Sequence, residues 1–218
     1  MKDSFTDHKI SDRNPRNSFH GYPIISDQVT KSGLEVIWRE FETTIRRNVP
    51  GHVVEFGCYA GTTSLFIRRL LNARGQPARE FHVYDSFAGL PEKAPQDHNA
   101  AGVDFEVGKL YVSKADFVKV FRAANLALPV IHKGWFSDTP SDQVPAPIAC
   151  AFLDGDFYES ILDSLRLVWP KMSPGGVVLV DDYKRETLPG VERALHDFFH
   201  GKPPAITAEH NIAIIRVP

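Results

Sequence analysis

Two short apolar runs that each end in a pair of aspartates constrain this chain more than any other feature. The first spans residues 147–158 and carries Asp154 and Asp156 near its end. The second spans residues 175–183 and ends in Asp181, Asp182 and a tyrosine. Each run is typical of a buried strand, and the residues between them have the periodicity of a helix. The pair predicts a β-α-β unit with acid at the carboxyl end of both strands.

These four aspartates are expected to meet. Parallel strands joined by a right-handed crossover have their carboxyl ends on the same edge of a sheet, and neighbouring strands lie about 4.8 Å apart. Carboxylates at such spacing repel one another unless some are protonated or a cation lies among them. The sequence therefore predicts an acidic rim that attracts a cation.

Strand-like and helical segments alternate along the rest of the chain. Strands are predicted at 52–57, 81–85, 128–132, 148–153 and 175–180, with a terminal hairpin at 205–209 and 212–217. Helices are predicted at 32–47 (with Ser32 as its cap), 62–73, from a capping box at Ser113–Asp116 onward, 158–169 and 191–199. This order predicts an α/β fold, a three-layer, doubly wound, mostly parallel seven-stranded sheet that ends in a β-hairpin.

Composition limits the domain organisation and the partners. The 218 residues divide into an amino-terminal arm and helix (1–50) and one main domain (51–218). Arm residues His8, Phe19, His20 and Tyr22 either close over a pocket or belong to a mobile arm or oligomer contact. A formal net charge of -2 argues against bulk attraction to nucleic acid or to an anionic membrane.

Three further features favour a cytoplasmic protein. No apolar run approaches the roughly 20 residues of a membrane-spanning helix. The first residues lack the apolar core of a signal peptide. Cys58 and Cys150 lie in apolar, strand-like contexts, so free buried thiols are expected rather than a disulfide or a metal pair.

The turn after the first strand, Glu55 to Gly61, is the predicted cofactor site, because ligands of such sheets bind beyond the carboxyl ends of the strands. Gly57 and Gly61 allow a sharp bend and a close backbone approach. The turn lacks the G-x-G-x-x-G spacing that admits a pyrophosphate. An acid at position 55 would repel a diphosphate and would suit the amino group and sulfonium of S-adenosylmethionine.

Two later positions bear on the same cofactor. Asp85 ends the second strand, where a carboxylate can accept the hydroxyls of a ribose; the alternative is that it caps the turn that follows. Trp135 and Phe136 follow the third strand, where an adenine could stack on them. The alternative for these two aromatic residues is ordinary core packing.

The acids of the rim predict metal chemistry. Oxygen ligands from Asp154, Asp181 and Asp182 suit a hard divalent ion, with Mg²⁺ favoured and Ca²⁺ or Mn²⁺ as alternatives. Asp156 is a candidate general base, with a direct or second-layer metal role left open. Further candidates for the base are His8, His20, His98 and His132. A purely structural reading, in which the acids cap helices or pair with basic residues, is the alternative.

Five motifs carry a resemblance to a known family: EFGCYAGTTS, YDSFAGLP, KGWFSDTP, LDGDFYES and VDDY, in this order over about residues 53–200. In this combination the chain resembles the macrocin O-methyltransferase family, whose members methylate sugar hydroxyls of macrolides and related natural products. The resemblance implies a class I S-adenosylmethionine-dependent fold, a magnesium site on Asp154, Asp181 and Asp182, and Asp156 as the base. It also implies that residues 90–125 form a lid and that the protein is a homodimer or higher homo-oligomer.

The matching motifs also define a predicted site. Catalysis is assigned to Asp156 and Asp154. Cofactor binding is assigned to Glu55, Phe56, Gly57, Tyr59, Gly61, Thr62, Ser64, Asp85, Ser86, Phe87, Gly134, Trp135, Phe136 and Asp154. Related catechol-type enzymes have a lysine three residues after the first metal-binding acid; Phe157 stands there in this chain, so a lysine base is excluded at that position.

The predicted function is an S-adenosylmethionine- and Mg²⁺-dependent O-methyltransferase. Its acceptor is expected to be a small hydroxylated natural product, with a glycosylated one and its sugar hydroxyl favoured. Alternatives are a catechol or phenol methyltransferase, a nicotinamide-dependent oxidoreductase and a non-catalytic cofactor-binding module. The missing pyrophosphate glycines and the clustered acids count against the oxidoreductase.

Overall fold

A computed structural model describes residues 21–102, 105–202 and 204–218, and it places seven strands in one sheet. The strands are β1 (His52–Phe56), β2 (Phe81–Asp85), β3 (Val130–Lys133), β4 (Ile148–Leu153), β5 (Met172–Val180), β6 (Ile206–Glu209) and β7 (Ile212–Arg216). Their order is β3-β2-β1-β4-β5-β7-β6, and only the pairs that include β7 are antiparallel. The predicted doubly wound sheet with a terminal hairpin is confirmed.

Two layers of helices cover the sheet. The helices are α1 (Lys31–Arg46), α2 (Thr62–Ala73), α3 (Lys114–Ala123), α4 (Tyr158–Val168) and α5 (Pro189–Phe198). The first three bury their apolar sides on one face of the sheet, and α4 and α5 bury theirs on the other. Because both faces are covered, the edge formed by the carboxyl ends of the strands is where the fold leaves room for ligands.

The caps of two helices test the sequence prediction locally. The Thr30 hydroxyl accepts a hydrogen bond from the Gly33 N–H at 3.0 Å, so Thr30 caps α1 and the prediction of Ser32 was wrong. The helix begins one residue earlier than predicted, which moves the cap back as well. At α3 the predicted cap is confirmed, because Ser113 accepts from the Asp116 N–H at 3.1 Å.

Backbone hydrogen bonds continue past the ends of the strands and align the site. The Gly57 N–H donates to the Tyr84 carbonyl oxygen at 2.9 Å, and the Asp154 N–H donates to the Phe56 carbonyl oxygen at 2.8 Å. The Asp181 N–H donates to the Leu153 carbonyl oxygen at 2.9 Å. Gly57 has a φ of 88°. A Cβ there would lie 1.8 Å from the Asp154 carbonyl oxygen, so only glycine fits between the two strand ends.

The segment after β2 folds back over the sheet edge. The Leu90 N–H donates to Lys109 at 2.8 Å and the Gly108 N–H donates to Leu90 at 2.9 Å, which closes the segment into a loop. Asp97 anchors it to α4 by accepting from the Tyr158 N–H at 2.7 Å. Helix α3, in contrast, buries Phe117 and Phe121 completely. The predicted 90–125 insert therefore consists of an irregular loop followed by a helix that belongs to the core.

Two predictions about the whole chain can be compared with the described residues. Cys58 and Cys150 are buried and free, as predicted. Within the described ranges, none of the helices combines the length and the apolar character that crossing a bilayer requires.

Candidate active site

All four aspartates of the predicted acidic rim line one cavity at the carboxyl edge of the sheet. Carboxylate oxygens of Asp154, Asp156 and Asp182 lie within 4.8 Å of one another. This close group contains Asp156 where the sequence predicted Asp181 as the third metal ligand. Asp181 lies in the same cavity wall but outside the group. The structure thus brings the acids together, and the assignment of Asp154, Asp181 and Asp182 as metal ligands stays a prediction.

The environment of these acids opposes their full ionisation. Burial, with the neighbouring carboxylates adding to it, raises the pKa of Asp156 to about 7 and that of Asp181 to about 8. Burial followed by repulsion from Asp181, Asp156 and Asp182 raises the pKa of Asp154 well above its ordinary value. Among the described residues, none donates a hydrogen bond to the carboxylate of Asp154 or of Asp156. Oxygen atoms so placed fit a hard cation.

Arg185 offsets part of this negative charge. Its Nη1 donates to Asp182 Oδ1 at 2.5 Å, and it is the one cationic side chain among the described residues that line the cavity. Asp156 and Asp182 have left-handed backbone conformations, with φ of 59° and 54°. Such conformations are uncommon for residues other than glycine and concentrate at functional sites. Of the four aspartates of the rim, Arg185 pairs with Asp182 alone.

The β1–α2 turn forms the wall beside the acids. Gly57, Cys58 and Tyr59 line the cavity, and Tyr59 has a φ of 43°. Asp85 holds this turn in place: its Oδ2 accepts from the N–H groups of Cys58 at 2.8 Å and of Tyr59 at 3.3 Å. Its Oδ1 accepts from the Phe87 N–H at 2.7 Å. Asp85 therefore has the turn-capping role that the sequence left open, and its side chain also lies in the cavity wall.

Glu55 lies behind the turn. It is fully buried, is absent from the cavity wall and accepts a hydrogen bond from the Ser64 hydroxyl at 2.5 Å. Its Oε1 has no hydrogen-bond partner among the described residues. Burial raises its pKa to about 8 against the opposing effect of the Ser64 hydrogen bond. The other predicted cofactor residues that do not line the cavity are Phe56, Gly61, Thr62, Ser64, Phe87 and Gly134.

The raised pKa of Glu55 predicts a measurable pH dependence of stability. The unfolded chain has a glutamate pKa of about 4.3, so this group stabilises the fold fully below that pH and loses its contribution as the pH rises to about 8. In Glu55→Gln this loss is absent. We expect the fall in the free energy of unfolding between about pH 5 and pH 8 to shrink by on the order of 2 kcal/mol. Urea unfolding of metal-free protein measures it.

The control for that experiment is Glu35→Gln, which makes the same chemical change at an exposed position of α1. It should leave the pH dependence as it is in the parent protein. If Glu55→Gln also leaves the dependence unchanged, Glu55 does not carry the proton assigned to it.

Aromatic residues form the opposite side of the cavity. Trp135 is 39% exposed and lines the cavity. Phe136 also lines it and packs edge-on against Phe56, with 5.2 Å between ring centroids. Phe136 thus combines the two roles considered from the sequence, whereas Trp135 presents free aromatic surface.

Several cavity residues were missed by sequence reasoning. Phe105 and Leu110 reach the cavity from the loop that folds over it, and Gln28 reaches it from the segment before α1. An irregular loop has no periodicity from which to infer which side chains point inward. Arg185 had a usable signal, because it stands three residues after Asp182 in the sequence and pairs with it.

Of the histidines proposed as alternative bases, the two that lie within the described residues, His98 and His132, do not line the cavity. His132 stacks on Tyr84 in the sheet, with 4.3 Å between ring centroids, and His98 lines a separate depression. His8, Phe19 and His20 lie outside the described residues. Tyr22 packs under the Arg69 guanidinium, 4.0 Å from its ring centre, and not against the cavity.

The chain is similar in sequence and in fold to known O-methyltransferases. A family model described as Macrocin-O-methyltransferase (TylF) matches residues 4–209, a longer stretch than the motifs span. The Streptomyces olivaceus protein named 8-demethyl-8-(2,3-dimethoxy-alpha-L-rhamnosyl)-tetracenomycin-C 4'-O-methyltransferase is 36% identical over 72% of this chain and 61% of its own length. A demethyldecarbamoylnovobiocin O-methyltransferase from Streptomyces niveus is 35% identical over 69% of this chain and 59% of its own length.

A solved structure extends the comparison to the fold. The O-methyltransferase NovP has a TM-score of 0.76 at 29% identity, covering 93% of this chain and 86% of that chain. This likeness confirms the class I methyltransferase fold. The chain spans 61% and 59% of the lengths of the two Streptomyces relatives. On the family match over most of its residues, the chain belongs to the macrocin-O-methyltransferase family.

Proposed function

We propose that this protein is an S-adenosylmethionine-dependent, divalent-metal-dependent O-methyltransferase that methylates a hydroxyl of a glycosylated natural product. The observation that carries the proposal is the group of Asp154, Asp156 and Asp182 oxygens in a cavity bounded by the β1–α2 turn. A sugar hydroxyl is favoured because the name of the Streptomyces olivaceus relative specifies methylation at the 4' position of a rhamnosyl tetracenomycin. A cytoplasmic location and a homo-oligomeric state remain predictions.

The methyl donor is proposed to lie along the carboxyl edge from β2 to β4. Asp85 faces the cavity at the end of β2, and its oxygens can accept from ribose hydroxyls in addition to the turn N–H groups. Trp135 offers an exposed aromatic surface for the adenine. Gly57 and Tyr59 form the wall between these two positions and the acids. Glu55 does not line the cavity, so it would influence the bound donor electrostatically, across the β1–α2 turn, and not by direct contact.

A divalent cation fits the acidic group. The donors are all carboxylate oxygens, they converge, and two of the three carboxylates accept no hydrogen bond from the described residues. Asp154, Asp156 and Asp182 would hold the ion, with Asp181 adding negative charge beside them. When bound, Mg²⁺ supplies Lewis acidity that lowers the pKa of an acceptor hydroxyl.

The chain's own residues would accept the proton of the acceptor hydroxyl and exclude water from the cavity. Asp156 lines the cavity two residues after Asp154, and its carboxylate would accept the proton of the acceptor hydroxyl. S-adenosylmethionine, held along this edge, would supply the methyl group to the acceptor oxygen, with S-adenosylhomocysteine as the leaving product. Phe105 and Leu110 cover the cavity from the loop before α3 and would exclude water during this step. We propose this loop, and not α3, as the lid of a methyltransferase domain at residues 51–218.

The ribose role of Asp85 predicts a binding defect. Asp85→Ala should weaken S-adenosylmethionine binding by about 10- to 100-fold, because it removes hydrogen bonds to a charged acceptor. The variant also leaves three backbone N–H groups without their hydrogen-bond acceptor, so its melting temperature should fall as well. Isothermal titration with S-adenosylmethionine, at a temperature where the variant remains folded, gives the affinity. The exposed Asp142→Ala is the matched control, and a dissociation constant equal to the parent's would contradict the assignment.

The reaction itself is tested with acceptors. Release of S-adenosylhomocysteine should be detected with Mg²⁺ and a panel of glycosylated polyketides and aminocoumarins that carry free sugar hydroxyls. Aglycones of the same compounds and simple catechols serve as controls, and turnover confined to catechols would overturn the sugar proposal. Thermal shift with S-adenosylmethionine and with a nicotinamide dinucleotide separates methyl transfer from hydride transfer. A shift with the dinucleotide alone would overturn the reaction class.

A further inference from the structure

We propose that His52, Glu80 and His82 form a second metal site, for a borderline transition ion such as Zn²⁺, at the edge of the sheet opposite the acidic cavity. His52 begins β1, Glu80 immediately precedes β2, and His82 is the second residue of β2. The two edges are separated by the length of the strands, on the order of 15 Å. The site is independent of the proposed methyl transfer.

The strand register brings these three side chains to one place. β1 and β2 are parallel neighbours in which Val53 pairs with Phe81 and Val54 with His82. The Val53 N–H donates to the Glu80 carbonyl at 3.0 Å, which fixes the backbone beside the glutamate. Side chains two residues apart in a strand share a face, so Glu80 and His82 project together. The arrangement is set by the sheet and not by mobile loops.

The distances between the donor atoms suit a small metal ion. Glu80 Oε2 lies 3.2 Å from His52 Nδ1 and 3.3 Å from His82 Nε2. All three atoms lie within 4.8 Å of one another. For metal–ligand bonds of about 2.0–2.1 Å in a tetrahedron, the distance between ligands is about 3.4 Å. The distances that include Glu80 therefore match without a large movement.

The chemistry of the donors selects the class of metal. Two imidazole nitrogens and one carboxylate oxygen are the donor set of borderline ions, whereas Mg²⁺ prefers oxygen alone. The side chain of His82 is only 11% exposed, but those of His52 and Glu80 are 28% and 59% exposed. An ion can thus reach the site from solvent, and a water molecule can fill its fourth position.

A hydrogen bond to the imidazole of His132 orients His82 for metal binding. His82 Nδ1 lies 3.1 Å from His132 Nε2, and His132 is in turn hydrogen-bonded to Gln143. If His82 carries its proton on Nδ1 and donates it to His132, its Nε2 lone pair points at Glu80 and is free to bind metal. His132, which does not reach the acidic cavity, thus has a positioning role here.

The competing explanation is an ion pair without metal, in which Glu80 accepts a hydrogen bond from both histidines. A measurement of Zn²⁺ binding distinguishes the metal site from this ion pair. Untagged protein is stripped with EDTA, dialysed and titrated with Zn²⁺ against a chromogenic chelator, with excess Mg²⁺ present to occupy the acidic cavity. We expect one equivalent of Zn²⁺ to bind and to raise the melting temperature.

Variants identify the ligands. Glu80→Gln and His52→Gln are exposed enough to fold normally, and each should weaken Zn²⁺ binding at least about 100-fold. His132→Phe keeps a ring stacked on Tyr84 but cannot accept a hydrogen bond from His82. We expect it to weaken Zn²⁺ binding by about 10- to 100-fold, the usual effect of removing a hydrogen-bond partner of a metal-binding histidine. His210→Gln, at an exposed position in the β6–β7 turn, is the control and should bind as the parent does. Parent-like affinity in both Glu80→Gln and His52→Gln, or no Zn²⁺ binding to the parent, would overturn the site.

Discussion

Removal of divalent metal is expected to reduce methyl transfer to a cognate acceptor at least about 100-fold while S-adenosylmethionine still binds. The reason is that carboxylate oxygens of Asp154, Asp156 and Asp182 converge within 4.8 Å of one another and so need a counter-charge. Burial and the neighbouring carboxylates raise the pKa of Asp154 and of Asp156. Arg185 pairs with only one of the three acids, Asp182. The proposed ribose and adenine contacts, at Asp85 and Trp135, use no metal, so donor affinity should change little.

The measurement compares turnover of EDTA-treated enzyme with that of enzyme given EDTA already saturated with Mg²⁺, and elemental analysis verifies the removal. Readdition of Mg²⁺ should restore the rate, with Mn²⁺ or Ca²⁺ as tests of ion selectivity. Asp182→Asn should raise the Mg²⁺ concentration required for half-maximal rate, whereas the exposed Asp142→Asn should not. Full activity of verified metal-free enzyme would refute the metal role.

Replacement of the proposed base is expected to have an effect of similar size. Asp156→Asn should lower kcat by about 10²- to 10⁴-fold, the range typical of general-base removal, because an amide cannot accept the proton of the acceptor hydroxyl. The side chain volume is nearly unchanged and the Asp85 and Trp135 contacts remain, so the dissociation constant for S-adenosylmethionine should stay within about twofold of the parent value. Single-turnover kinetics with saturating donor and acceptor measure the chemical step directly.

Asp156 also lies in the metal group, and the same variant distinguishes its two roles. A higher Mg²⁺ concentration cannot substitute for a missing general base, so the rate of Asp156→Asn should stay low at saturating Mg²⁺. Recovery of the rate at high Mg²⁺ would instead identify Asp156 as a ligand alone. Parent-like kcat at ordinary Mg²⁺ would remove it from the mechanism.

Much of the sheet was predictable because its strands are local apolar runs. The bounds of β2, β4 and α2 agree with the structure to the residue. Errors occur where a boundary depends on a hydrogen bond: Thr30 replaced Ser32 as the cap of α1, and β5 begins at Met172, three residues before the predicted start at Gly175. Such details depend on which neighbouring strand or N–H group is available.

The candidate site was predictable in its location but less so in its detail. Glu55 stands at the end of β1 as expected, yet its side chain turns into the core and meets Ser64 on α2. Strand alternation alone cannot assign such a residue to the cavity or to the core when both sides of the sheet are covered. Phe105 and Leu110 were not predictable, because a loop's inward-facing side chains depend on the surface over which it folds.

The order of strands and helices, the acid at four strand ends and the oxygen-rich character of the rim follow from the amino-acid sequence alone, since each is a property of residues close together along the chain. The tertiary structure decided which carboxylates lie together, because oxygens of Asp154, Asp156 and Asp182 from two different strand ends approach within 4.8 Å only when β4 and β5 pair as neighbours. It also brought His52 beside Glu80 and His82, an encounter that arises only when β1 and β2 pair in one particular register.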